Sequence, residues 1–234
     1  MSLIYNATFD SQTRVLSLLD KAGNVISSCE VPSKSNELTL TATADNSSVK
    51  LQKTGNVNNT YEVNTGSGWG SYTFDTVINL NKGQSCKWRC TSHPTSFSSN
   101  TYVQFVMTGS IEASGEVYSM LSSNLSDVTT LNGYDYAFFN LFKGCASLTS
   151  APQLPATTLA ERCYYNMFYG CKSLNEVRIA ALTTAKEALK NWLSSVSATG
   201  DFYCDPNATI FPTNNAAGIP SGWTRRNIAD YPQT

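Results

Sequence analysis

The segments Ala137-Phe-Phe-Asn-Leu-Phe-Lys-Gly-Cys-Ala-Ser-Leu148 and Cys163-Tyr-Tyr-Asn-Met-Phe-Tyr-Gly-Cys-Lys-Ser-Leu174 are near-copies at an offset of 26 residues. Asn, Phe, Gly, Cys, Ser and Leu recur at matching places. A fixed period in the twenties is the pattern of a stacked solenoid, whose units cannot bury an apolar face alone and cover it against a neighbour. Such stacks present surface. The echo carries no obvious acid, base, nucleophile or metal ligand, so it points to binding or display. Its paired cysteines, Cys145 and Cys171, are expected to be stacked, buried thiols acting as small hydrophobes.

A chain of 234 residues has room for two domains, or one domain with a small accessory unit. Its net charge of −1 argues against a dominant electrostatic attraction to nucleic acid or to an anionic membrane. Only 14% of residues are charged, well below the roughly 25% of an average soluble domain. Ser, Thr and Asn take their place, a mixture that suits many short strands with uncharged polar faces. Met1-Ser-Leu-Ile-Tyr5 has no basic start and no apolar run of signal length. The expectation is therefore synthesis in a cytoplasm, display outside by release through lysis, and no membrane insertion. The seven cysteines are an odd number without a disulfide-knot rhythm, and are expected to be mostly free.

The pattern predicts a mainly β chain with an α/β C-terminal part. Residues 1–33 read as a three-stranded β-meander, with Gly23-Asn24 supplying the positive-φ positions of a tight hairpin. Residues 37–118 have the rhythm of a β-sandwich module, with short alternating runs broken by Gly, Asn and Asp. In Cys86-Lys-Trp-Arg-Cys90 the alternation places both cysteines and Trp88 inside. Gly66-Ser-Gly-Trp-Gly70 is expected to form an exposed aromatic tip. Residues 119–224 read as the short solenoid, and 225–234 as a tail. Thr184-Ala-Lys-Glu187 is a capping box that predicts a closing helix, with Ala185, Ala188, Leu189, Trp192, Leu193 and Val196 at helical spacing. Gly200 stands where that helix would want a left-handed C-terminal residue.

Chemistry is sparse. Cys86-x₃-Cys90-x₂-His93 is the one metal-like cluster, and it lacks the second close pair of a zinc site. His93 is the sole histidine, so any triad would have to pass through it. The acidic pairs Glu112 with Glu116 and Asp127 with Asp135 read as solvated face residues instead of glycosidase carboxylates. No catalytic, cofactor-binding or metal residue is assigned, and no cofactor is expected. The candidates for a contact surface are aromatic: Tyr134, Tyr136, Tyr165, Tyr169 and Trp69, since exposed rings stack on sugars or anchor interfaces.

Leu141-Phe-Lys-Gly-Cys-Ala-Ser-Leu148, Ala151-Pro-Gln-Leu-Pro-Ala-Thr-Thr-Leu-Ala160 and Met167-Phe-Tyr-Gly-Cys-Lys-Ser-Leu174 resemble the BspA-like, Treponema-type leucine-rich repeat. The ending Gly218-Ile-Pro-Ser-Gly-Trp223 is similar to that family's terminus. The opening Ala7-Thr-Phe-Asp-Ser-Gln-Thr-Arg-Val-Leu-Ser17 is similar to N-terminal pieces of crAss-like phage structural proteins of gut Bacteroides. The resemblance implies a leucine-rich-repeat solenoid and a non-enzymatic bacteriophage virion protein, a head or tail fibre or decoration. Its implied partners are capsid or tail proteins, further copies of itself as a homo-oligomer such as a trimer, and a host-surface protein or glycan. A bacterial surface adhesin fragment is the alternative, and a glycan depolymerase the third reading.

Overall fold

The computed structural model describes residues 6–10, 15–30, 37–92, 97–122, 129–215 and 217–231. The chain divides into two units, 1–36 and 37–234. In the first, β1 (Asn6–Asp10), β2 (Val15–Leu19) and β3 (Val25–Glu30) form an antiparallel meander. The β2–β3 turn is held by Asp20, whose carboxylate accepts from the backbone N–H groups of Ala22 and Asn24 at 2.8 and 2.9 Å. Gly23, at φ +85°, supplies the left-handed residue the turn requires.

The larger unit opens with two antiparallel sheets. One has the strand order β11 (Ile111–Ser114), β4 (Leu38–Ala42), β9 (Ser85–Cys90), β6 (Tyr61–Asn64), β7 (Trp69–Ser71). The other runs β10 (Tyr102–Thr108), β5 (Ser47–Thr54), β8 (Ile78–Leu80). Alternation decides which side chains turn inward. Leu38, Leu40, Cys86, Trp88 and Cys90 are fully buried from the first sheet, and Val49, Leu51 and Phe105 from the second. Trp88 meets Phe105 edge to face at 5.2 Å, which joins the two sheets through one core.

The leucine-rich-repeat solenoid with a capping helix, expected over 119–224, does not form. The sheets of the chain are mostly antiparallel, and no α-helix is present among the described residues. Regular parallel pairing there is confined to β12 (Glu176–Arg178), β13 (Gly200–Cys204) and β14 (Trp223–Asn227), which make a small three-stranded sheet and no curled one. The echo instead builds layers of turns. In residues 134–145, every second N–H closes a four-residue turn, as in Ala137 to Tyr134 (3.2 Å), Phe139 to Tyr136 (3.1 Å) and Lys143 to Asn140 (3.0 Å). The N–H groups between them point to the next layer. Tyr136, Phe138, Asn140, Phe142 and Gly144 donate to the carbonyls of Glu161, Cys163, Tyr165, Met167 and Tyr169 at 2.7–3.1 Å. Arg162, Tyr164, Asn166, Phe168 and Gly170 repeat the step onto Lys186, Ala188, Lys190, Trp192 and Ser194.

The segment predicted as a helix is therefore the third turn layer. A helix would need the carbonyls of Lys186, Ala188 and Lys190 for its own N–H groups, and the layer above has taken them. Glu187, Asn191 and Ser195 have φ of +53°, +55° and +60°, values a right-handed helix excludes. Gly200 is not a helix cap either. It opens β13, where a Cβ would lie 2.4 Å from the Asn175 carbonyl oxygen and 2.7 Å from the Trp223 ring.

One aromatic column runs from the sheets through the layers. Phe105, Phe142 and Phe168 stack at 5.3 and 5.5 Å, and Trp192, Phe202 and Phe211 continue the column at 6.3, 6.0 and 5.0 Å. A second column stacks Tyr118, Phe138, Tyr164 and Trp192 at 6.3, 5.7 and 6.3 Å. The sheets and the turn layers thus share a continuous core. Cys86, Cys90, Cys145, Cys163, Cys171 and Cys204 are free and buried. Burial pushes the Cys86 and Cys145 thiols up to about 12, so they are protonated at neutral pH and behave as apolar side chains.

Candidate ligand groove

Because the layers lie in register, side chains 25 or 26 residues apart are neighbours on the outer face. Tyr136, Arg162 and Glu187 form one row across the three layers, and Phe139, Tyr165 and Lys190 form a second. Asn140 and Asn166 begin a third, joined by an amide hydrogen bond of 3.1 Å. These rows line an open groove of about 480 Å³, together with Lys143 of the first layer and Ser99 of the loop before β10. The volume lies within the range of about 300–1,000 Å³ usual for small-molecule sites.

The floor is apolar and stiff. Tyr102 of β10 meets Phe139 at 5.3 Å, and Phe139 meets Tyr165 at 5.2 Å. Phe139 is 8% exposed, so its ring is locked by packing and it holds the half-buried Tyr165 ring in place. Lys190 lies over Tyr165, its ammonium 5.5 Å from the ring centre.

One wall is charged. Arg162 donates from Nε and Nη2 to Oε2 of Glu187, both at 2.6 Å, and from Nη1 to the Tyr136 hydroxyl. Lys190 reaches the other oxygen of Glu187 at 2.5 Å. The Lys190 and Arg162 cations hold the Glu187 carboxyl below its ordinary value of 4.5. Glu187 in turn raises Lys190, while the Tyr136 hydroxyl and Glu187 raise Arg162. Because the folded state depresses the Glu187 value, the stability it adds is present above 4.5 and is lost as pH falls through the lower folded value. Denaturant titrations should therefore show a stability gap between the wild type and Glu187→Gln that is constant from neutral pH to about the unperturbed carboxylate value and closes below it. A gap unchanged in strong acid would contradict the ion-pair assignment.

Of the five aromatic candidates, the fold brings Tyr136 and Tyr165 together in the groove. Tyr169 lies at its edge, 40% exposed, with the Lys143 ammonium 6.0 Å from its ring centre. Tyr134 packs half-buried against the core, and its N–H closes a turn to Leu131. Trp69 is elsewhere. The loop expected to be an exposed tip runs into β7, where Trp69 pairs opposite Asn64 of β6. The Arg89 guanidinium covers its ring at 4.2 Å, and Arg89 is itself paired with Glu62 at 2.6 Å.

Arg162, Glu187, Lys190 and Asn140 were not singled out from the sequence. They belong to different layers, so no local motif contains them. The one available signal was the recurrence of Asn at 140, 166 and 191, which marks the layer register directly. His93 and Asp127 lie outside the described residues. Among the described residues no group of three or more His, Cys, Asp or Glu is arranged to hold a metal ion. Comparison with protein-family models, with curated proteins and with solved structures gives no match.

Proposed function

We propose that the chain is a non-enzymatic structural protein of a virion, a head or tail fibre or decoration, whose larger unit displays the groove to glycan on a host surface. One observation carries the binding part. Tyr136, Arg162 and Glu187, at φ of +58°, +51° and +53°, hold left-handed backbone that in the same layers otherwise falls mostly to Asn and Gly. Such conformations cost of order 1–3 kcal/mol at ordinary residues and cluster at functional sites. All three point into one groove beside an aromatic platform. A half-buried Tyr165 whose exposed edge lies beside hydrogen-bonding amides and charges suits a sugar, which offers C–H groups and hydroxyls together.

The virion part rests on the resemblance of the opening residues and on the small β-meander, which clusters apart from the displayed unit and suits an attachment piece. Many copies, as in a trimeric fibre on a particle, would turn modest affinity into avidity. Gold-labelled antibody against the chain tests the location. Labelling of purified particles is the expected result, and labelling confined to bacterial envelopes would favour the surface-adhesin alternative. Retention of the purified chain by host envelope polysaccharide tests the binding.

A further inference from the structure

The groove is lined by three cations, Lys143, Arg162 and Lys190, against the single carboxylate of Glu187. Two of the three are committed to it, since both Arg162 and Lys190 are bonded to Glu187. Lys143 is not. Among the described residues no carboxylate lies within ion-pair distance of its ammonium, which is held near the Tyr169 ring. Its backbone is fixed, because its N–H closes a turn to Asn140 and its carbonyl accepts from Gln104 of β10 at 2.7 Å. A half-buried lysine on fixed backbone, lining the groove beside aromatic rings, is left for a ligand to neutralise.

Resting on the glycan reading above, we propose that the groove selects acidic sugars, with the sugar against the exposed edge of Tyr165 and a carboxylate, as in a uronate or sialate residue, on the Lys143 ammonium. The amides of Asn140 and Asn166, which line the groove, spend one bond on each other and keep further hydrogen-bonding capacity. Glu187, shielded by Arg162 and Lys190, does not repel the incoming carboxylate as a bare acid would, and the two cations leave that wall with one net positive charge. The lining carries net positive charge, and Lys143 is the lining cation that no described carboxylate already pairs.

The test is binding of the full chain to an array that carries matched neutral, uronate-containing, sialylated and sulfated glycans, at low and raised salt. Wild type should retain carboxylated glycans about tenfold or more over their neutral counterparts, with retention falling as salt rises. Lys143→Met, which keeps the stem and removes the charge, should erase that preference, and Lys143→Arg should restore much of it. Thermal unfolding of both variants at the wild-type midpoint establishes that the fold is intact. Equal retention of neutral and acidic glycans, or a preference that survives Lys143→Met, would overturn the acidic assignment while leaving glycan binding in place. A preference for sulfated over carboxylated glycans would overturn the carboxylate. Retention of no glycan of any kind would overturn the glycan reading itself.

Discussion

Phe168→Ala is expected to destabilise the larger unit by about 3–5 kcal/mol, seen as a lower denaturant midpoint with an unchanged slope. Phe168 is fully buried and sits mid-column, with the Phe142 ring stacked at 5.5 Å and 5° on one side and Trp192 at 6.3 Å on the other. Its own N–H is bonded to Trp192 and its carbonyl accepts from Cys171, so the backbone around the hole cannot close in. The cavity therefore stays open and adds to the lost transfer energy. Phe168→Leu, which keeps most of the volume, should cost less than about 1.5 kcal/mol. A loss below about 1 kcal/mol for the alanine variant would mean that the layers are not stacked through this ring.

Asn166→Val should cost about 3 kcal/mol, of which about 1–2 comes from forcing a β-branched residue into left-handed backbone. Asn166 has φ +53° and donates its side-chain amide to Asn140 at 3.1 Å. Asn140 is 4% exposed, so removing its partner strands a buried amide oxygen, worth about 1–3 kcal/mol. Asn166→Gly separates the two causes, because glycine accepts the backbone and loses only the amide bond. It should be more stable than the valine variant by about 1–2 kcal/mol in urea titration. Equal stability of the two would show that the turn layer does not fix this conformation.

The stacking of the layers was legible in the sequence because it depends on repeated residues: Phe142 and Phe168, and Gly144 and Gly170, face their copies directly, and the Cys171 thiol donates to the Phe142 carbonyl of the layer above. The conformation of each layer was not. A ribbon of alternating turns repeats every four residues, as the left-handed positions 136, 140 and 144 show. Over a dozen residues a period of four is hardly distinguishable from the helical 3.6. Buried Ala188, Leu189, Trp192 and Leu193 satisfy both patterns, so the third layer reads as an amphipathic helix. Only the tertiary hydrogen bonds from Tyr164, Asn166 and Phe168 decide between them, and those partners lie 24 residues away.

The same distance hid half of the groove. Aromatic abundance singled out Tyr136 and Tyr165, which line one groove, but Arg162, Glu187 and Lys190 look like ordinary solvated charges until the layers are in register. Trp69 differs from the groove aromatics. Its flanks Gly66, Ser67, Gly68 and Gly70 are exposed, while the Trp69 ring is half-buried under Arg89 in the pairing of β7 with β6.

Tyr165→Ala offers the most direct test of the groove, since Tyr165 lines it at the centre of the Phe139, Tyr165 and Lys190 row. Wild type and variant, matched by thermal unfolding, would be compared on the same glycan array. Retention of glycan by the wild type, reduced about tenfold or more in the variant, is the predicted result. Undiminished retention by Tyr165→Ala would place the contact surface somewhere other than this groove.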